Sequence, residues 1–360
     1  MKNLTIKKVA LGLFLAGYAA SSSFAALQKE TANLINGNAP VLKSSTDVAN
    51  KLTVDIIHAD GTAYAAGDVV RVGDKVHIKY RLADLDGDTD NTSAGKVKAS
   101  LEVSGKDSTN TWAVIPTPTV VSTYDATDPE LGELEFEFTN DFVGKSSIGF
   151  KLRAETEFGL PTKGQWVWTS DIFGAGIPNH DDTNPSNPGA PDSDGHLPGG
   201  PGEGNSSNDG NGTNPGPIMP TSGELGIFLV DSTGNLLNRE SYTKSGSTLV
   251  PKYGERYAAI VWNDVNADGI YQNTESEYTR DFRFEWHVTG NSDDVSSTDG
   301  FVGTNITADT ASLTGNGNRE GTNDTIFLGS DVSGTKHNSV YSFSTHKAGI
   351  QGYKLQVKTN

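Results

Sequence analysis

Apolar and polar residues alternate with period two in both halves of this chain, and no stretch carries an extended amphipathic helical stripe. Leu134-Glu135-Phe136-Glu137-Phe138 puts three apolar side chains on one face and two carboxylates on the other, the pattern of a strand buried on one side. Val72, Val76, Ile78 and Tyr80 share one parity, and Val97, Leu101 and Val103 oppose Lys98, Ser100 and Glu102. Phe150, Leu152 and Ala154 oppose Lys151, Arg153 and Glu155 in the same way. Further on, Phe282-Arg283-Phe284-Glu285-Trp286 and Tyr353-Lys354-Leu355-Gln356-Val357 alternate, while Tyr257 to Trp262 reads as a buried run. The expected fold class is all-β.

Between the two strand-rich regions, residues 177–222 join Asn-Pro, Gly-Pro, Pro-Gly and Asn-Gly steps almost end to end, with Pro198-Gly199-Gly200-Pro201-Gly202 at the centre. Such a composition supplies almost no large apolar side chain, so it reads as a disordered linker rich in Pro, Gly, Asn and Asp. The expected organisation is therefore two antiparallel β-sandwich domains, residues 48–176 and 223–360, on either side of it. The two regions read as copies. Gly149 to Thr156 overlays Gly352 to Thr359 without a gap, Leu101 to Gly105 overlays Trp286 to Gly290, and Gly73-Asp74-Lys75 overlays Gly254-Glu255-Arg256. Three matches in the same order point to a tandem repeat.

The amino terminus reads as a signal peptide over residues 1–25, with Lys2, Lys7 and Lys8 before the apolar run Val9 to Ala20 and small residues at Ser23 and Ala25. The mature chain is expected to start at Ala26, with residues 26–47 as a flexible arm, and to contain no transmembrane segment. There is no Cys, so folding rests on burial, helped at most by ions. Loss of the leader takes the formal charge from −17 to about −20, 25 basic against 45 acidic side chains. That surface disfavours nucleic acid and anionic lipid and attracts cations or basic partners; it also simply keeps a protein soluble.

Two loops carry metal-ligand chemistry. Asp264, Asn266, Asp268, Ile270 and Glu275 fit a calcium-loop spacing, with Gly269 at the tight reversal, a backbone carbonyl from Ile270 and two closing oxygens from Glu275. Strand-rich sequence precedes it and no helix follows, so an EF-hand is not indicated. The corresponding loop of the first region offers Asp84, Asp86 and Asp88 but lacks a closing acid, so a Ca2+ ion is expected to bind more weakly there. Asp, Asn and Gly also make turns without any ion.

Catalytic constellations are missing. The seven His are dispersed, no H-E-x-x-H or Gly-x-Ser-x-Gly occurs, and no thiol is present, so the chain is read as not an enzyme. Trp166 and Trp168 share a face just before the linker, where they either pack on a sheet core or form a contact patch for a partner.

A signal peptide ending Ser21-Ser22-Ser23-Phe24-Ala25, an early domain with Gly67 to Asp74 and Asp84-Leu85-Asp86-Gly87-Asp88, and a late domain with Trp262 to Ile270 together resemble the exported Zir/Sin-type proteins encoded beside intimin/invasin-like outer-membrane barrels. The resemblance implies immunoglobulin-like modules, passage through the general secretory route to the periplasm, then secretion or retention at the cell surface. It also implies action with, or export through, an intimin-like outer-membrane protein; direct adhesion to a host surface or matrix ligand is the alternative.

Overall fold

The computed structural model of the chain describes residues 29–44, 49, 52–64, 68–116, 118–169, 171–173, 201–203, 216–292, 295–301, 319–329, 350 and 352–359. The expected signal peptide and most of the expected linker lie outside these residues. The chain divides into two compact units, Met1–Asn36 and Gly37–Asn360. In the first unit the described residues are exposed and carry no strand. All the strands below belong to the second, and among the described residues no helix is long and apolar enough to cross a membrane.

The first half contains β1 (Val41–Lys43), β2 (Leu52–Ile57), β3 (Lys75–Ala83), β4 (Glu102–Lys106), β5 (Trp112–Val114), β6 (Val121–Tyr124), β7 (Leu131–Glu137), β8 (Ser147–Glu155) and β9 (Lys163–Thr169). One sheet runs β2-β3-β7-β6, with β1 also on β3 and β10 (Pro201–Glu203) parallel to β2; the other runs β5-β4-β8-β9. The alternation read from sequence is what fills the space between them. Val54, Ile56, Val76, Ile78, Leu134 and Phe136 from the first sheet share one apolar cluster with Val103, Phe150, Leu152 and Val167 from the second. On the outer face of β3, Lys75 pairs with Glu135 and Lys79 with Asp55, both at 2.9 Å; water and salt screen such partly exposed pairs, so they add little to stability.

Two local features differ from the alternation. Lys96–Ala99 is a short helix, α1, and β4 starts only at Glu102. The buried Asp90 accounts for this, because its carboxylate accepts the amides of Lys96 at 3.0 Å and Val97 at 2.9 Å and so holds a helical turn. The expected arm through residue 47 also meets a strand, since β1 pairs with Arg81 to Ala83 and buries Leu42.

The second half contains β11 (Gly223–Val230), β12 (Arg256–Asn263), β13 (Phe284–Ser292), β14 (Val295–Phe301), β15 (Thr325–Phe327) and β16 (Lys354–Thr359), in sheets ordered β11-β12-β15 and β14-β13-β16. Strand β12 is buried on both faces, as its unbroken apolar run requires. Tyr257, Ala259 and Val261 join Phe284, Trp286 and Val288 in one cluster; Ala258, Ile260 and Trp262 join Phe228 in another, covered by Leu236 and Tyr271. Phe228 meets Trp262 edge-on at 5.3 Å, an arrangement that adds about 1 kcal/mol to simple burial.

The segments that overlay in sequence occupy equivalent strands. β3 and β12, β4 and β13, and β8 and β16 hold the same positions in the two strand orders, each with antiparallel neighbours. Gly73 and Gly254, just before the opening strands, both take positive φ, 99° and 80°. The pairing register is not identical. Val103 faces Phe150 whereas Val288 faces Leu355, two residues beyond the position the overlay implies, so the parity is kept but the register is shifted.

Residues 216–223, at the end of the Pro/Gly-rich segment, pack between the halves. Ile218 is buried in the core of the first half and Met219 in that of the second. The Met219 amide donates to the Val70 carbonyl and the Val72 amide to the Met219 carbonyl, both at 2.9 Å, while the Arg71 guanidinium donates to the Gly223 carbonyl at 2.9 Å.

Candidate metal centre

Many of the acidic side chains are turn-formers. Asp60, Asp107, Asp125 and Asp231 each precede a Thr by two residues, and one carboxylate oxygen accepts that Thr's hydroxyl at 2.6 to 2.7 Å together with its amide at 2.7 to 2.9 Å. The Thr hydroxyl holds the Asp60 and Asp125 carboxyls below their usual range and Asp231 at about 2. Burial pushes Asp107 up, but the bonds from Thr109 and Thr111 outweigh it and the net shift is downward.

Asp84, Asp86 and Asp88 are arranged differently. One ligand oxygen from each lies within 4.8 Å of the other two, so these three residues can hold a metal ion. They sit on the loop after β3, and none is fully buried. The next polar residues of the loop are committed elsewhere: Asp90 caps α1, and Asn91 donates to Glu157 at 2.5 Å. Two remote segments close over the loop. Asn38 donates its side-chain amide to Asp86 at 3.1 Å, and its backbone amide bonds the same carboxylate. Gly159 approaches so closely that a Cβ there would lie 2.3 Å from Asp88 Oδ2. Asp84 Oδ1 accepts the Asp86 amide at 2.8 Å, whereas Asp84 Oδ2 is shielded from solvent without a hydrogen-bond partner. An orphaned carboxylate oxygen facing a hard-oxygen donor set fits a divalent cation.

The same loops carry exposed apolar side chains. Leu85, between two of the candidate ligands, is 88% exposed, and Phe158 and Leu160, on either side of Gly159, are 69% and 47% exposed. Phe158 and Leu160 lie far from Leu85 in sequence and were not distinguishable there from ordinary turn residues.

The loop with the closer calcium spacing is hydrogen-bonded within itself. The buried Asp264 accepts the amides of Asp268 at 3.2 Å and Gly269 at 2.8 Å. Asp268 accepts the Ile270 amide and the Gln272 side chain, both at 2.8 Å, and Asn266 donates to it at 3.1 Å. Glu275 spends its two oxygens on the amides of Val265 at 3.2 Å and Gln272 at 2.9 Å. Among the described residues, Asp264, Asp268 and Glu275 do not form a convergent triplet of the kind made by Asp84, Asp86 and Asp88. What this loop positions is Tyr271, whose ring lies 6.3 Å from Trp262 over the outer face of β12.

In β9 the residue facing the core is Val167, and Trp166 lies half-buried between cations, with Lys151 Nζ at 5.3 Å and Arg153 Cζ at 5.0 Å from its ring. Trp168 is placed by its backbone opposite Lys151. The described histidines keep separate company: His58 lies 3.1 Å from Asp68, His77 bonds Glu133, and the buried His287 lies 3.6 Å from Glu285. His180, His196, His337 and His346 fall outside the described residues. Comparison with family models, with curated proteins and with solved structures gives no match.

Proposed function

We propose that this chain is a non-enzymatic exported interaction protein that acts with an intimin/invasin-like outer-membrane partner at the bacterial cell surface. The observation that carries a binding role is the exposed tip formed by Leu85, Phe158 and Leu160 on the loops around Asp84, Asp86 and Asp88. Large apolar side chains displayed on loops above a well-packed scaffold are the usual makings of a contact surface.

An immunoglobulin-like reading of both halves is supported by strand order. The sequence β2-β3-β7-β6 against β5-β4-β8-β9 corresponds to A-B-E-D against C′-C-F-G. The second half repeats the central part of that order. Two such domains, bounded near residues 48–176 and 223–360, would present their loops on a rigid support. Calcium is the ion we assign to the tip, because its flexible oxygen coordination suits three carboxylates on a short loop. Bound there, it would offset their mutual repulsion and hold Leu85 and Phe158 in a fixed orientation for a partner.

A photo-crosslinker placed at Phe158 in the full-length protein tests the reading in the native envelope. Capture of an intimin-like barrel, lost on Leu85→Asp, is expected. Capture of no membrane protein, with saturable binding of purified protein to host cells or matrix, would instead make this chain an adhesin.

A further inference from the structure

The exposed apolar side chains of the tip stand on two loops that are joined by a third segment. Leu85 belongs to the loop after β3, and Phe158 and Leu160 belong to the turn between β8 and β9. At their bases the loops are tied directly, because the Glu157 amide donates to the Thr89 carbonyl at 2.9 Å and Asn91 donates to the Glu157 carboxylate at 2.5 Å. Further out, the link runs through Gly37 and Asn38, which lead into β1. The Gly37 amide donates to the Leu160 carbonyl at 2.7 Å, while Asn38 gives its backbone amide to one oxygen of Asp86 and its side-chain amide to the other at 3.1 Å. One dipeptide therefore grips both loops.

Each residue of the pair suits this task. A Cβ on Gly37 would lie 2.2 Å from Asp86 Oδ2, so glycine is what lets the chain pass this close to the carboxylate. Asn38 meets an anion with two donors, a charge-assisted and directional arrangement. Both residues are exposed, so water competes for every one of these bonds and the dipeptide belongs to the easily opened part of the fold. The chain just after it is fixed: Pro40 and Leu42 are buried, and β1 pairs with Arg81 to Ala83. Gly37 and Asn38 can thus lift while the core of the first half stays closed.

We infer that Gly37 and Asn38 form a strap that sets the spacing of Leu85 from Phe158 and Leu160, and that the tip offers these side chains as one surface only while the strap is seated. Lifting the strap lets the loops part above the tie between Thr89 and Glu157, and a partner that needs all three side chains then loses affinity. Control of binding rests on the tip being the partner contact proposed above; control of loop spacing does not.

The chain contains no Cys, so Leu85→Cys with Leu160→Cys places two unique spin labels on the full-length protein. Dipolar electron spin resonance is expected to give a narrow distribution of distances between them. Gly37→Ala pushes the Asp86 side chain away, and Asn38→Ala removes the side-chain donor; each should widen the distribution at least twofold and leave the melting temperature nearly unchanged. A distribution that stays narrow in both variants, or is already as broad in the parent, overturns the strap. Binding is read separately with the photo-crosslinker at Phe158 in the native envelope, where Gly37→Ala is expected to lower the yield of captured barrel at least threefold. An equal yield from a variant whose loops have parted overturns control of binding. If parent and variant both capture nothing, the tip fails as a contact surface, and the label distances still decide for or against the strap.

Discussion

Gly144 lies against Asp281 across the junction of the two halves, so close that a Cβ on Gly144 would sit 2.4 Å from the Asp281 carbonyl oxygen. Gly144 also has φ +76° and donates its amide to the Ile218 carbonyl at 2.9 Å. Gly144→Ala therefore meets both backbone strain and a clash that no rotamer relieves. A loss of about 2 kcal/mol is expected, concentrated at the junction. Calorimetry should resolve two transitions in the variant where the parent shows one; a single unshifted transition would argue against the junction as a stabilising contact.

The same junction predicts the behaviour of nicked protein. A protease of broad specificity acting between residues 177 and 215 should leave two fragments that still co-elute, because residues 216–223 hydrogen-bond to both halves. Gly144→Ala should let the nicked fragments separate on size-exclusion chromatography. Fragments of the parent that separate at once would mean that the halves are joined by the chain alone.

Asp171 gives a pH dependence of known sign. Burial pushes its carboxyl up to about 6 from the ordinary 3.8, against the opposing bonds from the Phe173 amide, Ser147 and the Ile148 amide. The folded state then holds the proton more tightly than the unfolded state, so stability falls as pH rises from about 4 to about 6. The ionised form costs on the order of 3 kcal/mol above that window. Asp171→Asn should flatten this slope and raise the urea midpoint at pH 7 while changing it little at pH 4. An unaltered slope would exclude Asp171 as its source.

Only one of the two acidic loops should respond to cations. Asp84→Asn with Asp88→Asn is expected to abolish the rise in Tm caused by millimolar calcium and to leave the Tm without calcium nearly unchanged. Asp264→Ala strips the acceptor from two amides beside a buried core, at a cost of about 2 to 3 kcal/mol. That loss should be the same with and without calcium, as measured by thermal melts in each condition. If Asp264→Ala alone removed the calcium response, the ion would belong to the loop after β12.

Much of the architecture was readable because strand periodicity is local. Three short overlays located β3 with β12, β4 with β13 and β8 with β16, and the run Tyr257 to Trp262 marked a strand buried on both faces. The tip was not readable in the same way. Asp86 meets Asn38, 48 residues away, and Asp88 meets Gly159, contacts that only the closed fold creates. Spacing favoured the loop of Asp264 to Glu275 because it counts candidate oxygens along the chain and not their convergence in space. Trp166 and Trp168 drew attention by size, yet Val167 between them is the core residue. Ile218 and Met219 passed unnoticed because they stand among prolines and glycines, where apolar side chains have no periodicity to join.

Because β12 has no face toward solvent, the second half is three layers thick where the first is two. The loop layer holding Leu236 and Tyr271 acts as a wall rather than a rim. A change of length between Asp264 and Glu277 would lift Tyr271 and leave Trp262 wet. Insertions, tags and loop grafts are therefore refused on this stretch of the second half.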